Sequence, residues 1–196
     1  MKRVAMLISA VSLFCANSAA QDNTAAGMDF IKLATERYSV RKFSSKPVDQ
    51  DIIDKIIQAG KVAPTAVNSQ PQKIYVVKSE EIMKKLKHAS PCIYGAPHCF
   101  VFCYNDKTVV KRGKNGNYGD IDVTIVLTHM MLEAANLGIG TCIVGYYDTE
   151  LVRKALDMPD DIHPVLLLPF GYASDKAEPS PKHLSYRSLE ETVEYK

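Results

Sequence analysis

The sequence predicts a single domain built from both helices and strands. Segments with apolar residues at helical spacing alternate along the chain with short apolar runs that are typical of buried strands. The segment 121–137 is apolar on nearly every side, which indicates a helix at the centre of the core. The chain has 196 residues, and the part that follows residues 1–20 is long enough to bury most of its apolar surface in one domain.

The first half of this domain is predicted to contain three helices and two strands. The helices are predicted over 29–37, 49–61 and 80–88, and the strands over 74–77 and 100–104. The second helix has a stripe of apolar residues at helical spacing, namely Ile52, Ile53, Ile56 and Ile57. Asp49 is a candidate N-cap of that helix, and Pro47 stands just outside it.

The second half begins with the apolar helix 121–137, which we expect to have little contact with solvent. Gly138 and Gly140 end this helix, and backbone without side chains at these positions would let a flat ligand approach the chain. The later elements are predicted as a strand beginning at 141–144, a short helix over 149–156, a strand over 165–168 and a tail rich in proline and lysine from Ala177.

Three polar residues, Asp122, His129 and Glu133, lie within the central helix. A histidine and a glutamate four residues apart on a helix are most often a local pair or satisfied polar groups of the core. We therefore predict no catalytic side chain here.

Residues 1–20 show the order of features found in a secretory signal peptide. Lys2 and Arg3 precede an apolar run over 4–16, and the small residues 18–20 favour cleavage before Gln21. The alternatives are an N-terminal helix that is disordered or packed on the core, and a lipoprotein acylated at Cys15. We expect an exported protein, periplasmic in a host with two membranes, with a domain over 21–196 and no membrane anchor after cleavage, since the apolar run is shorter than the ~20 residues that span a bilayer.

The charge balance argues against two classes of partner. Removing residues 1–20 takes away two basic residues and no acidic ones, so the 24 basic and 22 acidic residues become 22 of each. A neutral chain without a block of lysine and arginine is not typical of proteins that bind nucleic acid. The same neutrality disfavours binding to a membrane surface.

Four cysteines follow the predicted leader, at positions 92, 99, 103 and 142. An even number in an exported protein is compatible with disulfides, but the density is far below that of a disulfide-stapled scaffold. Cys99 and Cys103 are four residues apart in a predicted strand, or roughly 13 Å at ~3.3 Å per residue, which is too far for a bridge. We favour buried free thiols, and we expect no metal site because neither C-x-x-C nor H-E-x-x-H spacing occurs.

The stretch Arg37-Tyr38-Ser39-Val40-Arg41 carries the donors of a phosphate site. Two guanidiniums match phosphate oxygens, and Ser39 adds a hydroxyl donor without bulk. Alone the pattern is weak, because it also occurs on solvated helix faces and in basic tails. A second segment strengthens it: the loop 63–71 holds Asn68 and Gln70, whose carboxamides suit the edge of a planar heterocycle.

These two segments, with 138–145 and 186–191, resemble the motifs of the nitroreductase family of FMN-dependent oxidoreductases, and they occur in the family's order. The resemblance extends from about residue 30 to residue 193. It implies a three-layer α+β fold with a central mixed or antiparallel sheet flanked by helices, and an obligate homodimer with FMN at its interface. It also implies NADH or NADPH as the electron donor and a small-molecule substrate.

The resemblance assigns cofactor contacts to two sets of residues. The FMN phosphate and ribityl chain are assigned to Arg37, Tyr38, Ser39, Arg41 and, from the C-terminal segment, Arg187. The flavin ring is assigned to the loop residues Pro64, Thr65, Ala66, Asn68, Ser69 and Gln70 and to the backbone of Val144 and Gly145.

The chain also departs from the family. Ser185 stands where many relatives have a basic residue, while Gln72 and Ile143 stand where aromatic residues are common. Only a short stretch separates Cys103 from Asp120, where relatives can insert helices that cover the substrate. We therefore expect an open pocket, and the sequence does not name the substrate.

Three functions are compatible with the resemblance. The first is an FMN-dependent NAD(P)H oxidoreductase that reduces nitroaromatics, quinones or related small acceptors by a ping-pong hydride mechanism. The second is another chemistry on the same fold, such as flavin destruction or reductive dehalogenation. The third is a non-catalytic, flavin-binding redox sensor, which export favours because reduced nicotinamides are scarce outside the cytoplasm.

Overall fold

The computed structural model describes residues 29–196, so the predicted signal peptide and its cleavage site before Gln21 lie outside the described residues. The elements are, in chain order, α1 Phe30–Glu36, α2 Gln50–Lys61, β1 Gln72–Val77, α3 Glu80–Ala89, β2 His98–Asn105, α4 Gly119–Asn136, β3 Gly140–Thr141, α5 Thr149–Ala155, β4 Ile162–Gly171 and α6 Leu189–Thr192. Single 3-10 turns occur at Ala66–Asn68, Pro91–Ile93 and Gly113–Asn115. Every predicted helix and strand has a counterpart here, with shifted ends.

The four strands form one sheet in the order β1-β2-β4-β3, and all neighbours are antiparallel. A parallel bridge between Ser39 and Thr141 adds the chain after α1 to the edge beside β3. β2 and β4 are longer than their predicted apolar runs, because the two strands continue to pair through their backbones beyond those runs at both ends. β3 is shorter than predicted, and beyond Thr141 it continues only as a single bridge between Val144 and Leu167.

Helices cover both faces of the sheet, which confirms the three-layer α+β prediction. Successive side chains of a strand point to opposite faces. On β2, Phe100 and Phe102 therefore pack with α2 and α4, whereas Val101 packs with α3 and α5 between Cys99 and Cys103. The rings of Phe100 and Phe170 stack at 4.2 Å across β2 and β4, on the α4 side.

One sequence prediction is corrected by the structure. The central helix α4 is not shielded all round within the described chain, because Ile121 is 40% exposed and Ile125, Thr128 and Leu132 continue the same partly exposed stripe. The tail from Ala177 contains one short helix. Ser188 and Glu191 form a reciprocal capping box that begins the short helix α6.

The four cysteines at 92, 99, 103 and 142 are free thiols, as favoured from the sequence, and all except the partly buried Cys92 are buried. Burial raises the pKa of Cys99 and of Cys103 to about 12. Within residues 29–196, no helix is both long enough and apolar enough to cross a membrane. The same residues contain no group of three or more His, Cys, Asp or Glu side chains placed to hold a metal ion.

Candidate functional site

The segment 37–41, which we name the clamp, leaves α1 and runs along the sheet edge. The Val40 N–H donates to the Thr141 carbonyl at 2.9 Å, and the Val40 side chain is buried. In an extended chain, alternate side chains point in opposite directions, so Ser39 and Arg41 face away from the core. The main chain thus holds the clamp in place and leaves its polar side chains available to a ligand.

Gly140 permits this close approach. A Cβ at position 140 would stand only 2.6 Å from Cγ2 of Val40, which is far inside normal contact distance. The sequence suggested that this glycine makes room for a flat ligand. In the structure, the missing side chain makes room for the clamp instead.

The clamp lines a cavity of about 240 Å³ together with part of the C-terminal tail. The lining residues are Arg37, Tyr38, Ser39, Arg41, Ser180, Lys182 and His183. His183 Nε2 lies 3.0 Å from the Thr35 carbonyl oxygen, and its ring makes an edge contact with Tyr38, so the tail is docked against the end of α1. Three cations and no carboxylate line the cavity, which suits an anion such as a phosphate.

The sequence did not predict Lys182 or His183 as site residues. A lysine followed by a histidine in a proline-rich tail carries no distinctive spacing, and only the docking of the tail brings the pair to the clamp. Arg187, which was predicted there, is 73% exposed and lies 3.6 Å from Glu191 within the tail. It does not line the clamp cavity of its own chain, and its contact with a cofactor stays a prediction.

Neutral groups lie behind the clamp. Burial raises the pKa of the Cys142 thiol, although the nearby Arg41 guanidinium and Ser39 hydroxyl oppose this shift. The neighbouring Cys92 thiol, together with burial, raises the pKa of the Tyr94 hydroxyl, although the nearby Arg41 guanidinium opposes this shift. No anion at these positions therefore competes with a ligand for the arginines near neutral pH.

The loop 63–71, which we name the flavin loop, follows α2 and has an unusual backbone. Val67, Asn68 and Gln70 have φ angles of 46°, 56° and 47°, in the left-handed region that non-glycine residues rarely adopt. The Gln70 N–H donates to Thr65 Oγ1 at 3.0 Å, and the Gln70 carboxamide donates to Asn68 Oδ1 at 3.1 Å. The side chains of Asn68 and Gln70 are both exposed, as a ligand contact requires.

One residue of α4 holds the flavin loop. Asp122 is 1% exposed, and its Oδ1 accepts a hydrogen bond from the Ala66 N–H at 2.9 Å. The sequence suggested only a satisfied core polar group here, although a carboxylate in an apolar helix was a usable signal. Glu133 does not hydrogen bond to His129 as the spacing suggested, because its carboxylate accepts from Asn136 Nδ2 at 3.2 Å.

The segment after β3 offers exposed backbone. Val144 is buried and exchanges two 2.9 Å hydrogen bonds with Leu167. Gly145 is exposed, and a Cβ there would meet only Leu166 at an ordinary 3.6 Å. The buried Ser90 hydroxyl donates to the Tyr146 carbonyl at 2.6 Å, which fixes the chain just beyond Gly145. The open backbone at Gly145 can therefore receive a planar group.

Within one chain, the clamp and the flavin loop lie at opposite ends of α4. Asp122 is near its N-terminal end, whereas Ala135, near its C-terminal end, shares a cavity with Arg37. Thirteen residues at ~1.5 Å each separate these positions by roughly 20 Å. The clamp cavity includes no residue of the loop, so the structure gathers the clamp residues but does not join them to the predicted ring contacts in one cavity.

Comparison with known proteins shows to which family this site belongs. The sequence profile described as the Nitroreductase family matches residues 34–91 and 87–172. The chain belongs to the nitroreductase family. The match spans the clamp, the flavin loop and Gly145, but it ends before the tail that carries Lys182 and Arg187.

Individual nitroreductase-family relatives agree with this assignment. The crystal structure of a nitroreductase family protein from Clostridium difficile 630 is 34% identical with a TM-score of 0.80, and the alignment covers 86% of this chain and 98% of that one. The structure of a nitroreductase family protein from Clostridium novyi NT is 26% identical in sequence to this chain and has a TM-score of 0.69. The alignment covers 76% of this chain and 87% of that one. The chain is 29% identical over 161 residues to an NADPH-dependent oxidoreductase of Staphylococcus aureus strain USA300, covering 73% of this chain and 64% of that protein.

Proposed function

We propose that this nitroreductase-family protein is an FMN-dependent oxidoreductase that transfers electrons from NADH or NADPH to nitroaromatics, quinones or related small acceptors. The observation that carries this proposal is the clamp cavity, in which Arg37, Arg41 and Lys182 converge with Ser39. The name of the Staphylococcus aureus relative, an NADPH-dependent oxidoreductase, supports a nicotinamide donor.

The residues present fit FMN in three respects. The cations of the clamp cavity match a phosphate dianion, and the Ser39 hydroxyl can donate to the phosphate or the ribityl chain. The exposed backbone at Gly145 leaves space for the flat ring system. The exposed carboxamides of Asn68 and Gln70 offer both donors and acceptors for the polar edge of that ring.

When bound, FMN supplies the redox chemistry, since it accepts a hydride from a reduced nicotinamide and passes electrons to an acceptor. The chain's own residues bind the cofactor and orient it. Arg37 and Arg41 hold the phosphate end, while Gly145 and the flavin loop border the ring. Between β2 and α4, the single helical turn Gly113–Asn115 is the only helical structure, so no longer helix there covers the ring. An open face lets donor and acceptor use one pocket in turn, as a ping-pong cycle requires.

We also propose that a second copy of the chain completes the site. The partly exposed stripe on α4, described above, is an apolar face that a partner copy would bury. Residues 184–196 are exposed throughout, and they include the large side chains Leu184, Tyr186, Leu189, Val193 and Tyr195. Sedimentation at micromolar concentration should show one species at twice the chain mass, and a monomer that binds FMN tightly would contradict this assembly.

Purified protein tests the redox proposal directly. It should be yellow, with the absorbance band of FMN, and NADH or NADPH should bleach that band under anaerobic conditions. A quinone or nitroaromatic should then restore it. A colour that neither nucleotide bleaches would favour a flavin-binding sensor, and bleaching that no oxidant reverses would favour flavin destruction. Protein that binds no flavin would refute the proposal.

Export is a separate proposal that rests on residues 1–20. Those residues would be removed as a signal peptide, leaving a domain over 21–196, and FMN would bind after translocation because no twin-arginine pair is present. Sequencing of protein isolated from the native host should begin at or near Gln21. A mature protein that begins at Met1 would remove the export claim.

A further inference from the structure

The flavin loop is held in a backbone conformation that its own sequence does not favour. Three of its residues, Val67, Asn68 and Gln70, adopt left-handed φ angles without being glycine. Such residues carry a conformational cost, and they persist where the surrounding structure determines them. Something outside these three residues must therefore stabilise the loop.

The hydrogen bonds inside the loop set its shape but not its place in the molecule. The Gln70 N–H donates to Thr65 Oγ1, and the Asn68 N–H donates to the Thr65 carbonyl at 2.9 Å. Over residues 29–196, the only side chain beyond the loop that hydrogen bonds to it is that of Asp122, through the Ala66 N–H. This contact joins the loop to the central helix α4.

The buried position of Asp122 is unfavourable in free energy. Its carboxylate is buried among apolar neighbours on α4, and its Oδ2 has no hydrogen-bond partner among the described residues. Burying a charged group with incomplete pairing is unfavourable, although its place in the first turn of α4 lets the helix dipole offset part of that cost. An apolar side chain would avoid this cost, so we infer that the carboxylate has a role other than packing.

We propose that Asp122 is the positioning residue of the flavin site. By accepting a hydrogen bond from the Ala66 N–H, it places the exposed carboxamides of Asn68 and Gln70 where they can contact the flavin ring. A carboxylate acceptor makes a stronger hydrogen bond to a backbone N–H than a neutral one does. This inference rests on the proposed FMN function, and it concerns the ring end of the cofactor rather than the phosphate end.

The proposal separates two ligands that differ only in the phosphate. A residue that positions the ring contacts must affect FMN and riboflavin alike, whereas a clamp residue must affect FMN alone. The full chain is titrated with each flavin in wild type, Asp122→Leu and Asp122→Asn. The leucine variant should bind both flavins roughly ten- to a hundredfold more weakly. The asparagine variant keeps an acceptor for the Ala66 N–H and should recover most of that loss.

A matched control comes from the same helical turn. Asp120 is exposed, and its side chain makes no hydrogen bond among the described residues. Asp120→Leu therefore removes an equal charge near the start of α4 without touching the loop. Its affinities for FMN and riboflavin should equal those of wild type.

A second variant removes the same hydrogen bond by a change in the loop. Ala66→Pro removes the N–H donor and leaves the core of α4 unchanged. Proline is tolerated at the first residue of a helical turn, and Thr65 has the extended backbone, with φ of −132° and ψ of 162°, that suits a residue before proline. This variant should lower the affinities for FMN and riboflavin to a similar extent, and it should shift the visible spectrum of the bound flavin. Combining it with Asp122→Leu should add little, because both remove one contact.

The outcomes distinguish this inference from the function on which it rests. Wild-type protein that binds neither flavin contradicts the FMN function itself. A different result overturns only the role of Asp122. In that case wild-type protein binds flavin, and a folded Ala66→Pro variant binds FMN and riboflavin with the same affinities as wild type. Should Asp122→Leu fail to fold, Ala66→Pro decides the question. A loss confined to FMN in either variant also overturns it, since the ring contacts would then not be affected.

Discussion

The clamp and the flavin loop are two parts of one candidate site that are held in opposite ways. The clamp is fixed by main-chain contacts, through the Val40 N–H on the Thr141 carbonyl and the packing of Val40 against Gly140. The flavin loop has a main-chain contact only at its end, where the Asn105 N–H donates to the Pro71 carbonyl, and its middle is held by the side chain of Asp122. Three of its non-glycine residues have left-handed backbone.

Substitutions should therefore have different effects in the two segments. In the clamp, polar side chains are not needed to hold the chain in place, so replacing them should change ligand affinity and leave the fold intact. For the flavin loop, we propose that Asp122 of α4, which does not touch the ligand, controls the position of the loop residues that do.

The largest effect is expected from removing both clamp arginines. In Arg37→Ala/Arg41→Ala, each lost charge-assisted contact to the phosphate should cost about 1.5–3 kcal/mol. FMN affinity should therefore fall by roughly a hundredfold or more, while riboflavin affinity and the melting temperature stay close to wild type. Titration with both flavins and thermal unfolding check this. An equal loss for riboflavin would mean that these side chains position the chain, contrary to the comparison.

The next effect concerns the glycine that admits the clamp. Gly140→Ala places a Cβ 2.6 Å from Val40 Cγ2, and such overpacking costs about 1–3 kcal/mol. We expect a lower melting temperature together with weaker FMN binding, because the clamp must move outward. Adding Val40→Ala removes the obstructing methyl groups, and it should restore part of the melting temperature and part of the FMN affinity. Wild-type stability and affinity in the single variant would show that the clamp does not depend on this contact.

A third experiment compares two cations of the tail. Lys182 lines the clamp cavity, whereas Arg187 pairs with Glu191 on the exposed tail. Lys182→Gln should reduce FMN affinity about tenfold, as expected for one charged contact. Arg187→Gln removes an exposed ion pair worth ~0–1 kcal/mol and should have a smaller effect. The opposite order would assign the phosphate contact to Arg187, as the family resemblance implies, and would favour a site completed by a partner's tail.

The smallest effect is a dependence of stability on pH. His98 is buried, and its Nε2 accepts from the Val48 N–H at 3.1 Å, which ties the chain following the clamp to β2. Burial, with a smaller contribution from Lys78, lowers the pKa of His98 from its ordinary 6.5. The unfolded chain therefore takes up a proton at a higher pH than the folded protein does. This contribution to the free energy of unfolding is complete above pH 6.5 and is lost as the pH falls below it.

Unfolding by urea at pH 7.5 and pH 5.5 measures this contribution. His98→Gln should flatten the pH dependence, whereas the exposed His88→Gln should leave it as in wild type. An unchanged slope in His98→Gln would show that other groups cause any acid destabilisation.

By itself, the sequence determined the order of helices and strands, the clamp motif and the carboxamides of the loop. These features are local: apolar periodicity identifies an element from its own residues, and R-x-S-x-R places its donors within one short segment. The ends of β2 and β4 and the short β3 were missed because backbone pairing with neighbours, rather than composition, sets where a strand ends.

Only the tertiary structure decided which distant residues serve the site. Asp122 meets Ala66 across 56 positions, and Lys182 lines the same cavity as Arg37 in a tail that His183 docks on α1. Neither has a spacing that marks it, since contacts between remote segments depend on how the layers pack. The same reason explains Gly140, whose missing side chain looked like space for a ligand in the sequence and proved to be space for Val40.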